Sequence, residues 1–183
     1  MKIVRRSMGK SAVAAAAYRS GTKLVNEWDG VTHDYTAKQN VAHLEIVLPS
    51  HAPPTFQDRS ILWNSVEQIE KSKDSQLARD LEISLPIELS KSEQIELARA
   101  YIRDTFVSAG MCADFSFHDK EGNPHVHILL TVRPLKGNGE WGAKCRKVYD
   151  LDEQGQRIPD GKGGWKNHRE DTVDWNSREK VEA

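Results

Sequence analysis

Phe117-His118-Asp119-Lys120-Glu121-Gly122-Asn123-Pro124-His125-Val126-His127-Ile128-Leu129-Leu130 is a polar turn held between two runs of strand-forming residues. Asp119 to Pro124 contains Gly122, Asn123 and Pro124, residue types that favour turns and end regular structure. Cys112 to His118 reads as the strand before it and His125 to Val132 as the strand returning, so the whole is expected to be a β-hairpin. Side chains at i and i+2 of a strand share a face, which presents His125 and His127 together, and the hairpin brings His118 back beside them. Three neutral imidazoles converging on one point can hold a divalent transition ion with coordination positions left open. An open position is what a metal needs to polarise a phosphoryl oxygen. A lone histidine is usually a core or surface residue, and a strand His-x-His is often accidental. The addition of His118 across a short turn is what tips the reading to a metal site.

Two other histidine-rich hydrolase patterns fail here. Histidine-triad nucleotide hydrolases need a third alternating histidine, where this chain has Leu129. Two-histidine phosphodiesterases need two separate His-x-Thr/Ser motifs, and neither His125-Val126-His127 nor His127-Ile128-Leu129 supplies one. Acids come from the stretch Leu77 to Leu85, which reads as a strand closed by Pro86. Within it Asp80 and Glu82 share a face by the same period of two. Either could receive the second N–H of a metal-bound histidine or help deprotonate a nucleophile, and either could simply face solvent.

The rest of the chain alternates helix and strand signals. Lys2 to Val4 is a short strand; Ser11 is an N-cap candidate ahead of an alanine run whose helix should carry Tyr18 and fade near Gly21. Trp28 to Thr36 holds the turn pair Asp29-Gly30 between extended pieces, and Val41 to Leu48 is a strand ended by Pro49. A helix is expected from Phe56 to Lys71 with Ile61, Leu62, Val66 and Ile69 on its apolar face. Ser90 caps a second long helix ending at Gly110, with Ile95, Leu97, Ala98, Tyr101, Ile102 and Phe106 on the buried side. From 135 to 183 the sequence is loop-rich, with a candidate hairpin from Lys147 to Ile158. This order predicts an α+β domain, an antiparallel sheet flanked by helices.

With 183 residues, 38% of them hydrophobic and 29% charged, the chain has room for one polar globular domain spanning 1–183. No run reaches a membrane span, and the N-terminus lacks a signal-peptide pattern, so a cytoplasmic protein with no membrane partner is expected. Cys112 and Cys145 match no zinc spacing and read as free thiols. A net charge of −1 argues against bulk affinity for nucleic acid. Yet Lys2, Arg5, Arg6, Lys10, Arg19 and Lys23 all precede the first acid, Glu27, a one-sided distribution compatible with a local DNA groove or with a solvated basic face.

Four tyrosines could act as nucleophiles. Tyr101 sits in an apolar helical stripe, Tyr35 and Tyr149 on short polar strands, and Tyr18 among basic residues. A phenol attacks poorly without a base or nearby cations, and composition alone does not choose among them. Ser11-Ala12-Val13-Ala14-Ala15-Ala16-Ala17-Tyr18-Arg19-Ser20-Gly21, followed by Thr32-His33-Asp34-Tyr35, resembles the first signature of the MobA/MobL (MobQ class, TraA-like) plasmid mobilisation relaxases, part of the HUH endonuclease superfamily. Leu81-Glu82-Ile83-Ser84-Leu85-Pro86 and Asn123-Pro124-His125-Val126-His127 resemble that family's second and third motifs, in the same order.

The resemblance implies a ferredoxin/RRM-like HUH core with Tyr18 as nucleophile. It implies His118, His125 and His127 as ligands of one magnesium or manganese ion, although all-nitrogen ligation favours softer ions than magnesium in vitro. Asp80 and Glu82 become the supporting acids, and Arg5, Arg6, Lys10, Arg19 and Lys23 the DNA contacts. The implied reaction is strand-specific nicking of single-stranded or locally melted plasmid DNA at a transfer origin (oriT), through a reversible 5′-phosphotyrosine bond. Accessory mobilisation proteins and a coupling protein are the implied partners. A rolling-circle replication initiator would share the chemistry, and a non-catalytic DNA-binding fragment would keep the fold without it. Relative to the family, the first strand is expected to be shortened, Asp80 stands where glutamate is commoner, and the helical segment starting at Asp174-Trp175-Asn176-Ser177-Arg178-Glu179-Lys180 is expected to be truncated.

Overall fold

Lys2–Arg5 (β1) runs through a short 3-10 turn into the alanine-rich helix Ala12–Ser20 (α1). A computed structural model describes residues 1–176. Ser11 caps α1 with its hydroxyl, which accepts from the Ala14 N–H at 3.1 Å. Gly21 closes it at φ 63°, where a Cβ would also stand 3.3 Å from Val41 Cγ2. Lys23–Val25 (β2) and Thr32–Asp34 (β3) then form a separate small hairpin. Its first strand lies ahead of Trp28, because Asn26 is already in the turn: its carbonyl accepts from Gly30 at 2.8 Å and its side chain from Trp28 at 3.1 Å.

The next elements are Val41–Val47 (β4), Arg59–Ile69 (α2), Gln76–Ser84 (β5) and Lys91–Ile102 (α3). The hairpin Ala113–His118 (β6) and His125–Thr131 (β7) follows. The helix expected from Phe56 is interrupted. Pro54–Gln57 forms a 3-10 turn, and Asp58 stays extended to cap α2 through the Ile61 N–H at 3.0 Å. A short acceptor side chain is worth more at the cap than inside the helix. Ile61 consequently faces solvent while Trp63 is buried. In α3, started by a Ser90–Glu93 capping box, burial follows Gln94, Ala98 and Ile102. Leu97 and Tyr101 of the expected apolar stripe lie at its exposed flank, and the helix widens into a π-turn over Arg103–Val107.

β1, β5, β7, β6 and β4, in that order, make one five-stranded antiparallel sheet. β6 and β7 are buried along their whole length because helices cover both faces. Val13 and Ala16 of α1, Leu62, Trp63 and Val66 of α2, and Leu129 of β7 share one core cluster. On the opposite face, Leu97, Ala98 and Tyr101 of α3 border an apolar cavity with Val126 and Ile128.

A buried acid ties α2 to the sheet. Asp114 accepts from Trp63 Nε1 at 2.8 Å and from Arg59 Nε and Nη2 at 2.7 and 2.6 Å. Asp114→Ala is expected to cost about 3 kcal/mol, because it strands a largely buried guanidinium and an indole N–H. Urea denaturation reads this as a lowered midpoint; an unchanged midpoint would show that the cluster adds nothing to stability.

The chain divides into two compact units, residues 1–141 and residues from Gly142 on. In the second, Cys145–Tyr149 (β8) pairs with Asn167–Asp171 (β9), in the register Lys147 to Arg169. The hairpin expected to end at Ile158 is therefore longer. Asp152 and Asp160 each accept from two backbone N–H groups of a tight turn, so the chain reverses twice before β9 begins. Both cysteines are free thiols. Asp174–Asn176 forms a 3-10 turn, and the remainder of the expected helical segment, 177–180, lies outside the described residues. Among the described residues, no helix is long and apolar enough to cross a membrane.

Candidate metal centre and nucleophile

Strand register builds the histidine cluster. Across β6 and β7 His118 stands opposite His125 and Ser116 opposite His127, and across β5 and β7 Glu82 stands opposite His127. Directly opposed residues of an antiparallel pair share a face, so the three imidazoles lie on the side of the sheet that α1 and α2 cover. All three are buried, with ring centroids 4.6 to 5.1 Å apart. One ligand nitrogen from each lies within 4.8 Å of the others.

The hydrogen bonds around the rings suit metal ligation. His118 donates from Nε2 to the Arg19 carbonyl at 2.9 Å, and His125 from Nδ1 to the Asn123 carbonyl at 2.8 Å. Each keeps its other nitrogen as a lone pair, the arrangement that orients metal-bound histidines. His127 Nδ1 is buried with no hydrogen-bond partner among the described residues, and Glu82 Oε2 lies 3.8 Å from it. Burial pushes the His127 ring down to about 3, helped by Arg19 and the neighbouring imidazoles. His118 is lowered too, again chiefly by burial. Both are therefore neutral near pH 7 and free to donate lone pairs. A buried three-nitrogen donor set with one orphaned nitrogen fits a divalent ion.

The last turn of α1 lies against this cluster through the Arg19 carbonyl. Tyr18, the preceding residue, is 47% exposed. Lys38 Nζ sits 4.3 Å from its ring centre and donates to its backbone carbonyl at 2.8 Å, while the Arg19 guanidinium lies 5.4 Å from the ring. Tyr35 packs edge-on against it at 5.2 Å. Burial, and then Arg19, holds the Lys38 ammonium below its usual range. Lys38 and Tyr35 were not among the expected site residues. They reach Tyr18 only because the β2–β3 hairpin folds back, and no local spacing encodes that contact.

The two acids separate. Asp80 pairs with Arg19, whereas Glu82 is the acid beside His127. The basic residues separate as well. Arg6 turns inward to Glu67 at 2.7 Å and to backbone carbonyls, with its guanidinium over Trp28, so its charge is spent within the fold. Arg19 pairs with Asp80 while its guanidinium stays beside the Tyr18 ring. Arg5, Lys10 and Lys23 are exposed, Lys23 with Asp34 at 3.6 Å.

Comparison with known proteins adds the following. The sequence model of the MobA/MobL family matches residues 10–183. "Conjugal transfer protein TraA" of Rhizobium radiobacter is 42% identical over 170 residues, covering 87% of this chain and 15% of that protein. "Mobilization protein MobL" of Acidithiobacillus ferridurans is 36% identical over 183 residues, covering 86% of this chain and 48% of that protein. The chain thus spans under half the length of these relatives. A solved structure described as "Molecular Basis of Vancomycin Resistance Transfer in Staphylococcus aureus" aligns with a TM-score of 0.79 at 34% identity, over 99% of this chain and 82% of that one.

Proposed function

The chain belongs to the MobA/MobL family, and from that premise we propose that it is the nicking part of a conjugative or mobilisation relaxase, cutting one DNA strand at a transfer origin through a reversible 5′-phosphotyrosine bond. The observation that carries this reading is the junction of the two halves of the site: His118 bonds to the backbone of the residue that follows Tyr18. His118, His125 and His127 would hold one divalent ion, magnesium or manganese, which when bound supplies Lewis-acid polarisation of the scissile phosphate. The Tyr18 oxygen attacks the phosphorus. The bond to the 3′-oxygen breaks as the tyrosine–phosphate bond forms, so the phenol gives up its proton, the released 3′-oxygen gains one to become a hydroxyl, and the 5′-phosphate stays on the protein. One phosphate ester replaces another, so the reverse reaction rejoins the strand.

The surrounding residues have separate tasks in this scheme. Lys38 and Arg19 bring positive charge beside the attacking Tyr18, where the scissile phosphate must also lie. Asp80 fixes Arg19, and Glu82 supports His127. Arg5, Lys10 and Lys23 attract the DNA backbone. The substrate is single-stranded or locally melted DNA, since in-line attack needs an exposed backbone. Accessory mobilisation proteins and a coupling protein act outside this chain.

The test uses single strands tiled across the region adjoining the gene, labelled at the 3′ end and incubated with the protein and Mn²⁺. The label should move to the mobility of the protein in a denaturing gel. If no strand is captured by folded protein, the enzymatic reading fails. A second expectation concerns Lys38→Met, which removes the charge and keeps much of the bulk. The single-turnover rate of adduct formation should fall ~10-fold with Mn²⁺ affinity unchanged, because a cation over the ring is worth roughly that much. An unchanged rate would show that Lys38 only packs.

A further inference from the structure

Two polar side chains of α2 are buried as deeply as its apolar ones: Asn64 is 3% exposed and Glu67 1%. Their spacing of i and i+3 puts them on one flank of the helix. Leu62, Trp63 and Val66 enter the core cluster, but Asn64 and Glu67 reach backbone groups of the segment that carries Tyr18. Glu67 Oε1 accepts from the Ala12 N–H at 2.6 Å. Ala12 opens α1, and its N–H is one of the donors that a helix leaves without an internal partner. Glu67 Oε2 accepts from Arg6 at 2.7 Å. Asn64 holds both neighbours of Asn26: its Oδ1 accepts from the Glu27 N–H at 2.8 Å, and its Nδ2 donates to the Val25 carbonyl at 3.0 Å. Asn26 in turn donates to the Ser11 hydroxyl at 3.3 Å, which joins the two anchor points.

We propose that Glu67 and Asn64 are positioning residues for Tyr18: they fix α1 and the β2–β3 hairpin to α2, so that the phenol stands at the histidine cluster. The proposal rests on the DNA-nicking reading above. At its last turn α1 meets the cluster through the bond from His118 to the Arg19 carbonyl. Glu67 holds the first turn, and Tyr18 lies about 9 Å further along the axis, so a tilt at Ala12 is carried to the phenol. The hairpin matters because the chain leaving it brings Tyr35 edge-on to the Tyr18 ring and Lys38 to the Tyr18 carbonyl. A buried ion pair adds little stability that apolar side chains of like volume do not also give. What the carboxylate and the amide give, and apolar groups cannot, is a bond of set length and direction to one backbone group. Displacing a reacting group by about 1 Å costs roughly 10²-fold in rate.

The measurement is the single-turnover rate of adduct formation at saturating 3′-labelled strand and Mn²⁺, taken with strand affinity, Mn²⁺ affinity and the thermal midpoint. Arg6→Met with Glu67→Met puts apolar volume in place of the ion pair. Its rate should fall about 10²-fold, while both affinities and the midpoint stay near native. Arg6→Met with Glu67→Gln returns an acceptor to the Ala12 N–H without the ion pair, and should recover most of that loss. Asn64→Ala should lower the rate about 10-fold, again with both affinities kept. Val25 and Glu27 are exposed, so their freed backbone groups reach water and this variant folds even if the methionine pair does not. Gln68→Ala removes an exposed bond from the same helix to Glu27, and should keep the native rate. A native rate in a folded Glu67 or Asn64 variant removes that residue from the role. A fall matched by lost strand or Mn²⁺ affinity, or no recovery with glutamine, overturns the positioning of Tyr18 by Glu67 and leaves the nicking reading standing. If the native protein captures no strand, both readings fall.

Discussion

Replacing Tyr18 with phenylalanine is expected to abolish covalent capture of a 3′-labelled single strand, a fall of more than about 10⁴-fold in adduct formation, with Mn²⁺ affinity and thermal stability unchanged. A residue that forms the covalent bond cannot be bypassed by positioning or electrostatics, so the loss is near-total rather than graded. The substitution is otherwise mild. Phenylalanine keeps the aromatic face that Lys38 and Arg19 approach and the edge contact with Tyr35. The side chain is also half exposed, so little packing depends on the hydroxyl. Tyr35→Phe is the companion variant, because its ring centre lies only 5.2 Å from that of Tyr18 and it is the other phenol in the same pocket of charge. Adduct surviving in Tyr18→Phe and lost in Tyr35→Phe would transfer the nucleophile to Tyr35. Adduct surviving in both would move the chemistry elsewhere.

The parts of this site that could be read from sequence are those set by a short period. His125 and His127 are two apart on one strand, and a six-residue turn returns His118 opposite His125, so the cluster follows from strand geometry alone. The sheet and its helices were legible for the same reason, since Pro49, Pro86 and Gly21 punctuate runs with clear periodicity. What could not be read is set by distant partners. Asp80 and Glu82 share a face and look equivalent in sequence, yet one meets Arg19 and the other His127, because α1 crosses only part of that face. Arg6 and Arg5 look alike too, but only Arg6 finds Glu67 on α2 and leaves the exposed basic surface. Asp58 was missed as a helix cap because the preceding Pro54 and Phe56 already read as a helix start.

Removing His125 and His127 together by alanine substitution is expected to abolish Mn²⁺ binding at this site and to lower nicking by at least about 10³-fold. One remaining imidazole, His118, supplies a single nitrogen already oriented by the Arg19 carbonyl, and a lone neutral ligand holds no divalent ion against water. The loss should not be a loss of fold. His127 is buried with an unsatisfied nitrogen, so the native protein without metal already bears a cost that alanine removes, against some packing lost where the rings meet edge to face. That balance makes thermal unfolding a clean second readout. A metal that binds only the folded state raises the midpoint in proportion to its occupancy, so Mn²⁺ should stabilise the native protein and leave the double variant unmoved. Calorimetric titration should agree, with heat from the native protein and none from the variant. If Mn²⁺ raises the midpoint of both by the same amount, the ion sits elsewhere and the three histidines are a packing cluster. Tyr18 would then have to act with the cations of Lys38 and Arg19 alone, which predicts nicking that survives EDTA.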